Sequence, residues 1–132
     1  MLLSAGDILP SQDFLKERTV LFIFECIRTG KLDELPPTPF VRKNEAGKWV
    51  AIDGHNLIAV RYYLNEKIEV ISAKSATDAL PEATSAHKER NKELAAKYDG
   101  VLDEQRRVAA LGVTSFADLI AQYPQLFPNP AA

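Results

Sequence analysis

The sequence of 132 residues predicts an α+β domain followed by a C-terminal helical extension. Three observations lead there. Phe40 to Ile52 reads as a β-hairpin. Trp49 to Ile71 reads as strand, glycine turn, helix and strand. After Leu80-Pro81 the composition changes, and Glu82 to Ala132 holds no convincing strand pattern. The expected division is residues 1–81 for the mixed part and 82–132 for an extension packed on or beside it.

Each element has a local reason. Ile8-Leu9-Pro10-Ser11-Gln12 is a short apolar segment broken by proline, read as a strand or extended loop running into a turn. Ser11 or Asp13 is placed to cap a helix that follows. Phe14 to Thr29 fits either a helix, with Leu15, Phe22 and Cys26 on one stripe, or a buried strand through Val20-Leu21-Phe22-Ile23-Phe24. Its length without glycine or proline favours the helix, and Gly30 is a natural stop. Leu35-Pro36-Pro37-Thr38-Pro39 suits neither a helix interior nor a central strand. Phe40-Val41-Arg42-Lys43 is a strand, Asn44-Glu45-Ala46-Gly47 a turn, and Lys48 to Ile52 the returning strand. On that strand Trp49 and Ala51 face one way, Val50 and Ile52 the other. Asn56 to Asn65 carries helical spacing through Leu57, Ile58, Val60 and Leu64. Ile68-Glu69-Val70-Ile71 is a short strand, and a crossover of this kind implies two parallel strands.

The extension reads as three helices. Glu82 to Tyr98 is charged, with a thin apolar stripe. Leu102 to Leu111 ends at Gly112. Thr114 or Ser115 caps a third helix through Phe116, Leu119 and Ile120. Pro124, Pro128 and Pro130 suggest a frayed tail.

Composition narrows the functional classes. Sixteen basic and 18 acidic side chains give a net charge of −2. Residues 1–81 carry 10 and 11 of them, and residues 82–132 carry 6 and 7. Neither half has the basic footprint of a chain that coats nucleic acid. One cysteine, Cys26, and two histidines, His55 and His87, exclude a disulfide framework and leave no metal cage. No signal-peptide pattern or membrane-length apolar run is present, so a cytoplasmic protein without a membrane span is expected.

The turn after the second hairpin strand could carry chemistry. A strand enters a helix through Asp53-Gly54. The helix N-terminus presents unsatisfied N–H groups and partial positive charge, which suit phosphate or carboxylate. Asp53 could hold a metal, a hydroxyl or a cap. His55 could donate to phosphate or move a proton. The same residues also suit a plain tight turn, with Asn56 capping the helix.

Asp53-Gly54-His55-Asn56-Leu57-Ile58-Ala59-Val60 resembles the signature turn of the ParB/sulfiredoxin superfamily, whose members typically read Asp-Gly-His-(His/Thr)-Arg before small apolar residues. The order of elements over roughly residues 6–75 agrees. The resemblance implies a small mixed β-sheet with flanking helices and a phosphate-binding turn. It also implies a nucleotide ligand (CTP, ATP or ADP, with Mg2+) and, if the chain is an enzyme, phosphotransfer or nucleotide hydrolysis. Asp53 and His55 would then be catalytic. Gly54, His55, Asn56 and Arg61 would hold phosphate, with Ser11 and Gln12 near the ligand and no dedicated protein metal site. Two departures stand out. The family's arginine falls at Leu57, with Arg61 four residues on along the same helical face. The sulfiredoxin cysteine falls at His55, and Cys26 lies elsewhere.

Other features have plainer readings. Trp49 and Phe40 could stack on a base but suit a core. His87, Lys88, Arg90, Lys92 and Lys97 fit a solvated helix. The glycine-linked helices around Gly112 resemble a DNA-reading pair, yet Thr114 to Tyr123 lacks lysine and arginine. Three functions therefore compete: a nucleotide- or phosphate-binding ParB-like domain, an adaptor that lost the site and binds a protein partner or a second copy through its extension, and a DNA-binding partition-type protein disfavoured by charge.

Overall fold

Two short sheets organise the chain, whose structure, a computed structural model, describes residues 1–73, 94 and 96–128. Strands β1 (Leu2–Ser4) and β5 (Lys67–Glu69) pair antiparallel. The larger sheet contains β2 (Ile8–Leu9), β3 (Phe40–Lys43), β4 (Trp49–Ala51) and β6 (Ile71–Ser72), in the spatial order β2-β4-β3-β6. It is mixed: β3 and β4 are antiparallel, whereas β2–β4 and β3–β6 are parallel. Helices α1 (Glu17–Thr29), α2 (His55–Tyr63), α3 (Val101–Ala110) and α4 (Phe116–Ala121) complete a small α+β fold. The expected boundary at residue 81, and most of the expected Glu82 to Tyr98 helix with His87, lie outside the described residues.

The hairpin forms as its pattern requires. Asn44 N–H donates to Lys48 O, and Gly47 takes φ 75° in the turn. Alternation sends Val41 and Ala51 into one apolar cluster, and Phe40, Val50 and Ile52 into another on the opposite side. The crossover differs from expectation. The run from Ile68 to Ile71 is two strands, not one. Val70 N–H donates to Met1 O while Ile71 N–H donates to Pro39 O, so the chain leaves one sheet for the other within a single residue. β6 then runs parallel to β3 and hence antiparallel to β4, correcting the parallel pair expected after β4.

The stretch after Pro10 is helical, as its length suggested, but α1 starts at Glu17 rather than near Phe14. Neither Ser11 nor Asp13 caps it: Lys16 is the N-cap residue, without a side-chain cap bond. The buried stripe is Val20, Ile23 and Cys26, while Leu21 and Phe22 stay half exposed. Gly30, at φ 75°, closes the helix in the left-handed conformation, and Lys31 N–H donates to Cys26 O.

The extension is part of the main core. Val108, Val113, Phe116, Leu119 and Ile120 join Ile8, Val20, Ile23, Val41 and Ile58 in one cluster. Ser115 caps α4 by accepting from Asp118 N–H, and Asp118 accepts from Thr114 in return. This is a packing pair, since the apolar side of α4 is buried. The tail is not frayed through residue 128. Leu126 and Phe127 are buried, and Phe127 meets the rings of Phe24 and Tyr63. The prolines there end a helix without loosening the chain, because the apolar side chains between them fill the core.

Candidate functional site

The Asp53-Gly54-His55-Asn56 turn sits where β4 enters α2, as expected; His55 is buried, while Asp53 and Asn56 stay partly exposed. Gly54 adopts φ 72°. A Cβ added there would stand 2.6 Å from Pro39 Cγ, so glycine is required by both backbone and space. That side of the turn is occupied by proline, not left open to a ligand. Asp53 Oδ1 accepts from Phe40 N–H at 2.7 Å, and Ile52 N–H donates to Phe40 O at 2.8 Å. The carboxylate therefore pins the start of β3.

His55 is 3% exposed and packs beside the Phe116 ring. Its Nε2 accepts from Ser11 N–H at 2.9 Å. That bond requires a bare Nε2 and places the ring proton on Nδ1, an assignment that follows from hydrogen-bond roles. Nδ1 itself is buried without a hydrogen-bond partner. Burial pushes the imidazole pKa down to about 3, with the Lys97 charge acting in the same direction. A neutral ring enclosed on all sides can neither donate to phosphate nor exchange protons with a bound ligand. Ser11 Oγ donates to Ala51 O at 2.6 Å, which ties the loop after β2 to β4. Asn56 Oδ1 accepts from Lys16 N–H at 2.8 Å and so anchors the approach to α1.

Asp53, His55 and Asn56 of the expected phosphate turn thus each hold backbone from another part of the chain, while Gly54 packs on Pro39. Their polar groups bind backbone from β3, the loop after β2 and the segment before α1. The turn is a structural joint for three pieces of chain. Among the described residues no group of three or more His, Cys, Asp or Glu could hold a metal ion.

The remaining expected residues divide between two hollows. Leu57 and Arg61, one turn apart on α2, line a hollow of about 350 Å³ with Leu35, Pro36, Thr38 and Lys67. Arg61 does share a hollow with the position where the family arginine would stand. Its Nη1, however, bonds Glu66 Oε2 at 2.9 Å. Ser11 and Gln12 line a different cleft, of about 460 Å³. Its apolar walls are Phe14, Ile52, Ala96 and Val101. Lys97, Arg107 and Glu104 bring charge to it from the C-terminal region. Gln12 Nε2 donates to Phe14 O, which shapes the rim. Arg107 bonds Glu104 through Nε at 2.9 Å and approaches Asp13 at 3.9 Å.

Phe14, Ile52, Lys97 and Arg107 were not legible as site residues in the sequence. Lys97 belongs to a mixed-charge run, and Arg107 to an ordinary amphipathic helix. Only the packing of α3 against the end of β4 brings them to Ser11. No protein-family model, curated protein or solved structure matches the chain at a significant level.

Proposed function

We propose that this chain is a ParB/sulfiredoxin-like module that binds a nucleotide or a similar amphipathic phosphate ligand in the cleft between the Ser11-Gln12 loop and α3. The single observation that carries the reading is the composition of that cleft. It combines apolar walls with a polar loop and the cations Lys97 and Arg107, the second of them paired with Glu104 in the same lining. A pocket of several hundred Å³ with a few convergent polar groups is what a small-molecule site requires. Phe14, Ile52 and Val101 would take the flat, apolar part of the ligand. Lys97 and Arg107 would meet its phosphates, and Gln12 would bond a polar edge. Mg2+ would arrive with the nucleotide.

Binding rather than catalysis is the supported activity. Asp53 and His55 are held by backbone partners and do not line the cleft. Placement in the cytoplasm belongs to the same reading. No helix among the described residues is long and apolar enough to cross a membrane.

Calorimetry with CTP, ATP and ADP in the presence of magnesium tests the proposal. Saturable heat is expected, and it should be lost in Lys97→Gln and Arg107→Gln while His55→Gln retains it. Absence of heat at millimolar nucleotide defeats the reading. An adaptor without a nucleotide site is the second reading. It is favoured by the internal use of Asp53, His55 and Asn56, and by the half-exposed Leu21 and Phe22 on α1. The DNA-binding alternative loses ground because the apolar residues of α4 lie in the core.

A further inference from the structure

Arg42 and Lys43 close β3, and they stand apart from most other arginines and their neighbours in one respect. Arg28, Arg61, Arg106 and Arg107 each hold a carboxylate. Neither Arg42 nor Lys43 meets one within ion-pair distance among the described residues. Instead, the Arg42 guanidinium lies 4.2 Å from the centre of the Tyr98 ring, and its Nη1 donates to Tyr98 O at 2.8 Å. Lys43 Nζ lies 4.9 Å from the centre of the Trp49 ring. The two cations, Trp49 and Tyr98 line a hollow of about 430 Å³ together with Ser72 and Ala73. Among the described residues no acidic side chain lines it. The strand register explains the opening: β6 ends at Ser72, opposite Val41, while β3 continues to Lys43.

From this geometry we infer that the hollow binds the phosphoryl group of a phosphate monoester. Arg42 is already ordered, by the ring beneath it and by one carbonyl. Its other N–H groups remain to fork onto two oxygens, so little freedom is lost on binding. Lys43 supplies a second positive charge, which matches a dianion better than a single carboxylate. The Ser72 hydroxyl adds a donor at the rim. The Arg61 hollow lacks this character: Glu66 answers Arg61, and the Met1 amino group answers Glu69.

Trp49 is the single tryptophan and lines this hollow, so its fluorescence senses binding there. The full chain is titrated with O-phosphoserine and inorganic phosphate, with acetate and sodium chloride at matched ionic strength as controls. Phosphoserine is expected to give a saturable change in Trp49 emission that neither control reproduces. Arg42→Lys keeps the charge but loses the fork, so affinity should fall roughly tenfold or more, the loss of about one charge-assisted bond. Lys43→Gln should weaken binding as well. Its side chain makes no hydrogen bond among the described residues, so it serves as the check if Arg42→Lys unfolds. Nucleotide heat in the Ser11 cleft should survive Arg42→Lys. An emission change that follows ionic strength alone overturns the inference. So does saturation by inorganic phosphate without phosphoserine, or equal phosphoserine affinity in wild type and a folded variant.

Discussion

Acidification should destabilise this protein through His55. Its ring is buried, Nε2 is engaged by Ser11 N–H, and its pKa falls from an ordinary 6.5 to about 3. As pH falls through 6.5, the unfolded chain takes up a proton on this imidazole. The folded chain does not do so until about pH 3. The unfolded state therefore binds more protons across that window, and stability is lost as pH falls. One such proton corresponds to a slope of about 1.4 kcal/mol per pH unit. Near pH 4.5 the loss reaches about 3 kcal/mol, a large share of the roughly 5–15 kcal/mol that holds a typical domain folded. The assay is urea unfolding of wild type and His55→Gln at neutral pH and near pH 4.5. Glutamine can accept from Ser11 N–H but does not titrate. Carboxylates common to both proteins cancel in the difference. His55→Gln should show the flatter pH dependence. Parallel profiles for the two proteins would refute both the burial and the neutral state of His55.

Two further perturbations test the joint and the tail. Gly54→Ala sets a methyl against Pro39 and forces a left-handed backbone on alanine, and should cost about 2–4 kcal/mol in chemical denaturation. Combining it with Pro39→Ala should recover the steric part, and a loss below about 0.5 kcal/mol in the single variant would contradict the contact. Phe127→Ala should cost about 3–5 kcal/mol, because it empties a buried site beside Phe24 and Tyr63. A melting temperature unchanged from wild type would instead mean that this segment is not part of the core.

Local pattern carried the hairpin, the stop of α1 at Gly30, the start of α2 after Gly54 and the cap at Ser115. These features depend on residues within a few positions of one another. Period-two alternation also separated Ala51 from Val50 and Ile52 onto the two faces of β4. Pattern failed where one run serves two partners. Ile68 to Ile71 has the spacing of a single strand, but its backbone bonds are divided between Met1 and Pro39, residues on opposite sides of it. It failed again at the tail, where proline count suggested fraying and buried Phe127 decides otherwise.

The candidate site divides in the same way. Ser11 and Gln12 do line a cleft, and Leu57 and Arg61 do share a hollow. The motif residues between them were read as facing outward. Their partners lie 13 residues away for Asp53, 40 for Asn56 and 44 for His55. No short window contains those distances. By itself the sequence determined the hairpin, the stop of α1, the helix after Gly54 and the glycine turn between β4 and α2. Tertiary structure alone decided that Asp53 Oδ1, His55 Nε2 and Asn56 Oδ1 hold backbone from other parts of the chain. It also decided that cations from a distant helix face Ser11. The physical reason is that a buried donor or acceptor must find a partner, and packing selects which one is within reach.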